Sequence, residues 1–85
     1  MIEDWFNNYN GVAPTIGGCC GEYDINIGFA TASRFIMCAV DTNYVDTRDA
    51  LCTTSTPWGN TVRVRIHDAS AGETAAEFWV MVYGQ

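Results

Sequence analysis

The sequence predicts an α+β fold, an antiparallel sheet of about four strands with a short N-terminal helix packed on one face. Three observations lead there. Ile, Val and Thr supply 22 of the 85 residues against a single leucine, Leu51, and β-branched side chains suit pleated sheets better than helices. Two stretches near the C-terminus alternate apolar and polar residues with period two. The first ten residues instead carry apolar side chains at helical spacing. If that segment is only a docked turn, the alternative is a small all-β protein. A chain of 85 residues makes one compact domain, residues 1–85.

The elements follow in order. Ile2, Trp5, Phe6 and Tyr9 fall on one helical face, Glu3 and Asp4 suit the first turn, and Asn10-Gly11 tolerates the left-handed ending, so a helix is expected over 2–10. Residues 11–21 read as a glycine-rich loop. Tyr23, Ile25, Ile27 and Phe29 then alternate with Glu22, Asp24, Asn26 and Gly28, a strand with one buried and one wet face. Phe35 to Val40 is apolar throughout and suits a central strand; a buried helical turn has the same pattern. A short helix is expected over Asp46 to Cys52, and a loop over Thr53 to Asn60, which contains Pro57 and Gly59.

The last part of the chain carries the clearest pattern. Val62, Val64 and Ile66 alternate with Arg63, Arg65 and His67; Phe78, Val80 and Val82 alternate with Glu77, Trp79, Met81 and Tyr83. A hairpin through Ser70 to Thr74 would pair Ile66 with Phe78, Val64 with Val80 and Val62 with Val82. Its other face would gather Arg63, Arg65, His67, Trp79, Met81 and Tyr83. A slip by one residue would bury arginine and expose valine, which defends this register.

Composition removes several functions. The chain has ten Asp and Glu, four Arg, one His and no Lys, for a net charge of −6. Lysine Schiff bases and Walker lysines are impossible. Four arginines among ten carboxylates supply direct nucleic-acid binding and anionic lipid attraction poorly. No apolar run approaches the roughly 20 residues of a membrane-spanning helix. With no leader visible, the chain reads as cytoplasmic; a secreted form with its leader removed would have the same sequence.

Cys19, Cys20, Cys38 and Cys52 allow two disulfides, but a cytoplasmic setting favours free thiols. Together with His67 they include enough ligands for one zinc, yet the spacing lacks the Cys-x-x-Cys of zinc fingers and ribbons, so no metal or other cofactor is expected. A cysteine nucleophile would need His67 as its base, oriented by Glu77; a cross-strand charge pair is the simpler reading. The stretch Gly17-Gly18-Cys19-Cys20-Gly21 lacks the lysine and spacing of a phosphate loop.

What remains is two candidate surfaces. The first is acidic: Glu22, Asp24, Asp41, Asp46 and Asp49 belong to an N-terminal half that holds −5 of the total charge, seven carboxylates against Arg34 and Arg48. The second is the hairpin face of Arg63, Arg65, His67, Trp79, Met81 and Tyr83, residue types that anchor protein interfaces. The function expected is a non-enzymatic protein-interaction module. It would be an inhibitor that blocks a basic, nucleic-acid-binding site on a partner protein, as small viral and mobile-element inhibitors do. The alternatives are a homo-oligomeric structural protein assembled through the hairpin face, and a small Cys/His enzyme or metal-binding domain.

Overall fold

In a computed structural model, residues 2, 4–40, 50–68, 72–73 and 77–84 are described. They form seven strands: β1 (Thr15–Cys19), β2 (Glu22–Asn26), β3 (Phe35–Val40), β4 (Ala50–Trp58), β5 (Thr61–Asp68), β6 (Gly72–Glu73) and β7 (Phe78–Tyr83). One antiparallel sheet has the order β1-β2-β5-β4, with the two-residue β6 paired to the end of β5. The other contains only β3 and β7. The described residues contain no helix, so the fold is all-β and the expected α+β class is corrected.

The side chains of the N-terminal segment explain why residues 4–10, within the helix expected over 2–10, are not helical. Asn7 accepts backbone hydrogen bonds from Tyr9 and Asn10, at 2.9 and 3.3 Å, and its amide donates to the Val12 carbonyl at 2.9 Å. Asn10 accepts from the Val12 backbone, and Asp4 from that of Trp5. Short amide and carboxylate side chains here satisfy the backbone groups that a helix would have used. Apolar spacing was therefore outweighed by local turn chemistry.

Two other stretches form strands where none was expected. Within the glycine-rich segment, β1 folds back on β2 through a two-residue turn, Cys20-Gly21, with φ of 66° and 109°. Both turn residues are left-handed, the geometry whose twist suits a tight hairpin. Gly18 is required as well, because a Cβ there would collide with the Glu22 carbonyl oxygen. The expected helix at 46–52 and loop at 53–60 give way to β4 from Ala50 onward; residues 46–49 lie outside the described set. Pro57 is accommodated because β4 is an edge strand and the ladder is irregular between Ser55 and Trp58.

The two sheets pack face to face. Val62, Val64 and Ile66 on the central β5 are fully buried, with Ile25 and Ile27 beside them. Ile36, Cys38 and Val40 of β3, and Phe78, Val80 and Val82 of β7, pack on them from the other sheet. The alternation read from the sequence thus places the right side chains inward. The pairing differs: β5 and β7 belong to different sheets and face each other, and β7 pairs with β3. Inward-facing Val and Ile satisfy either arrangement, so periodicity alone does not choose between neighbours in a sheet and partners across a core. β3 is likewise no central strand: it pairs with β7 in the smaller sheet, and its outer face, Phe35, Met37 and Ala39, is apolar yet exposed.

Cys38 on β3 and Cys52 on β4 form a disulfide between the sheets, and Cys19 is bonded to its neighbour Cys20. The expectation of free thiols is corrected. Facing strands bring Cys38 and Cys52 to a Cα separation of 6.1 Å, within the range a disulfide spans.

Candidate functional site

The outer face of the larger sheet is polar. Side chains of paired residues share a face, and the register sets Glu22 opposite Arg65, Asp24 opposite Arg63, and Thr53 and Ser55 beyond them on β4. Arg63 donates to both oxygens of Asp24, and its Nε also lies 3.2 Å from Glu22. Arg65 approaches Glu22 at 3.7 Å. The Arg63 guanidinium sits 5.2 Å from the centre of the Trp58 ring. The hydrogen bonds from Arg63 hold the Asp24 carboxyl below its ordinary value and, in return, raise the guanidinium above its own.

This placement joins residues that the sequence assigned to separate surfaces. Glu22 and Asp24, from the acidic set, interleave with Arg63 and Arg65, from the hairpin set, and largely neutralise them. Asp41, Asp46 and Asp49 lie outside the described residues. His67 is half-buried on the same face, opposite Leu51 on β4 and Glu73 on β6. The expected cross-strand pairs His67–Glu77, Arg65–Trp79 and Arg63–Met81 do not form, since β6 takes the place beside β5 and β7 crosses to the other sheet.

Trp79, Met81 and Tyr83 instead stand on the outer face of the two-stranded sheet. The register brings Phe35 opposite Tyr83, Met37 opposite Met81 and Ala39 opposite Trp79. The five large side chains are between 56% and 75% exposed, and Phe35, Met37, Met81 and Tyr83 line a shallow apolar depression. No charged residue lies among these six outward positions. Phe35 and Met37 were missed as surface residues. A run that is apolar on both faces, in a chain this small, was the available signal, because few strands can be covered on two sides.

All four cysteines are in disulfides. Among the described residues no three His, Cys, Asp or Glu side chains are grouped as metal ligands. Comparison adds no relative: no protein-family model, curated protein or solved structure matches the chain.

Proposed function

We propose that this protein is a non-enzymatic interaction module that associates with a second copy of itself through the outer face of the β3–β7 sheet. The observation that carries this reading is the uncharged face of Phe35, Met37, Trp79, Met81 and Tyr83. Aromatic side chains carry roughly 150–250 Å² each, so Phe35, Trp79 and Tyr83 present about 400 Å² at their observed exposure, and Met37 and Met81 raise the face to about 600 Å². Two such faces packed together would bury about 1,200 Å², the lower end of a specific interface. A net charge of −6 opposes close approach of two copies, but none of that charge need be desolvated at this face. Methionine suits such a contact because its flexible thioether adapts to the opposing surface.

The reading that the protein blocks a basic site through an acidic surface has less support. Glu22 and Asp24 already face Arg63 and Arg65, so the ion pairs a partner would offer are made within the chain. Sedimentation velocity across a concentration series tests the proposal: a reversible dimer is expected for the native chain and a monomer for Met37→Ser with Met81→Ser. A native chain that stays monomeric throughout would overturn it.

A further inference from the structure

The two sheets differ in width. The larger is four strands across and the smaller only two. β3 lies toward β4, to which Cys38–Cys52 joins it, and β7 lies toward β2, where the Phe78 ring is 5.2 Å from that of Tyr23. Among the described residues no strand of the smaller sheet is left to cover β1. Its inward side chain Ile16, with Ile25 of β2, forms one wall of an open cavity of about 970 Å³; Phe78, Val80 and Val82 of β7 form the other. Cavities near that size hold sizeable ligands.

The edge of β7 borders this cavity. Among the described residues β7 pairs only with β3, and none of them forms a strand on its second edge. Phe78, Trp79 and Val80 all line the cavity although they point to alternate faces, as expected where a strand presents its edge. Trp5, Phe6 and Tyr9 line the remaining side. Among the described residues the hydrogen bonds of this segment are local or run to Gly28, so it borders the cavity as a loop. Phe6 is 86% exposed. An unpaired edge beside an uncovered apolar wall is the arrangement in which an added strand gains main-chain hydrogen bonds and burial together.

Charge indicates which strand fits. Arg34 is the only cation among the described residues lining the cavity, and its guanidinium is already engaged. It donates to the carbonyls of Ala30 and Gly84 and stacks on Tyr9 and Phe29, at 4.8 and 4.5 Å. Asp4, whose carboxylate accepts from the Trp5 backbone, and Glu77 also lie along the lining, and the chain as a whole carries −6. We propose that this cavity receives an extended strand of a partner protein that pairs with the edge of β7, directs apolar side chains inward and carries basic side chains on its outer face. This site adjoins the self-association face and shares Trp79 and Tyr83 with it, whereas Met37 and Met81 belong to that face alone.

The test uses fluorescently labelled peptides and the monomeric Met37→Ser/Met81→Ser chain alongside the native one. An alternating valine–lysine peptide is expected to bind the Met37→Ser/Met81→Ser chain saturably, one per chain, and the native chain likewise at concentrations where it is monomeric. The same peptide with alternate backbone N-methyl groups is expected to bind about tenfold more weakly or worse, because main-chain hydrogen bonds are lost. An alternating valine–glutamate peptide is expected to fall by a similar factor, and so is binding of valine–lysine to Ile16→Asp. In the native chain, hydrogen exchange at β7 should slow when the valine–lysine peptide binds. Equal binding of the N-methylated or the glutamate peptide overturns the proposal, as does no saturation by about 1 mM, the limit of weak recognition. Unchanged exchange at β7 despite binding overturns it as well. If peptide binding fails while the native chain still dimerises, the self-association reading stands; the reverse result leaves only the strand site.

Discussion

Arg63 on β5 reaches Asp24 on the neighbouring β2 with two hydrogen bonds, of 2.8 and 3.1 Å, while its guanidinium borders the Trp58 ring. A forked cation on a planar carboxylate is geometrically specific, and here it fixes which residues of β2 and β5 stand opposite each other. The pair is partly exposed, so its main role is register rather than strength.

A pH dependence follows. The folded Asp24 carboxyl titrates below 3.8, its ordinary value, because Arg63 hydrogen-bonds the charged form. Its contribution to stability is therefore complete above the ordinary carboxylate range and is lost as pH falls through the lowered value. Urea melts from about pH 7 to about pH 2 should show the native chain losing its advantage over Asp24→Asn as the medium becomes acidic. A constant difference at every pH would contradict the assignment.

The buried and exposed apolar side chains should respond oppositely to truncation. Ile66 is fully buried on the central strand, so Ile66→Ala is expected to lower stability by about 2–5 kcal/mol and Ile66→Val by about 1 kcal/mol. Met81→Ser removes a side chain from an exposed face and should leave the monomer's melting curve nearly unchanged. Denaturant melts at low protein concentration, where the monomer prevails, make this comparison.

Salt separates attraction from repulsion. If two copies meet through the uncharged β3–β7 face, added salt screens the −6 on each and should strengthen the dimer. A complex held by an acidic surface would weaken instead. Sedimentation at about 0.05 M and about 0.5 M salt gives the sign directly.

The β1–β2 hairpin offers a paired test of backbone conformation. At Gly18, φ is 99° and a Cβ would meet the Glu22 carbonyl oxygen; at Gly17 a Cβ would meet nothing within 4 Å. Gly18→Ala is expected to destabilise by more than about 1 kcal/mol, whereas Gly17→Ala should be neutral or slightly stabilising. Equal effects at the two positions would show that this hairpin register is wrong.

Much of the side-chain distribution was legible in the sequence. The alternations at 22–29, 62–67 and 78–83 correctly sorted inner from outer residues, because burial on one face imposes period two whatever the neighbouring strand is. Strand partnership was not legible. Short-range hairpin logic joined β5 to β7, whereas the chain pairs β7 with β3, far away in sequence. The helix expected at 2–10 failed because Asn7 and Asn10 answer their own backbone, an effect that apolar spacing does not register. For the candidate surfaces, residue types were anticipated and their grouping was not. Arg65 and Trp79 were expected side by side, yet they stand on the outer faces of different sheets.

Cys38–Cys52 closes a covalent ring around the connection between β3 and β4, with a sequence separation of 14. Arg48 lies within that ring, so a tryptic cut after it would sever the chain without releasing either piece. On a denaturing gel the nicked protein should run as one species until thiol is added, then as two. Peptide-bond continuity in this segment is thus dispensable for holding the halves together, and new termini placed there would leave both sheets joined.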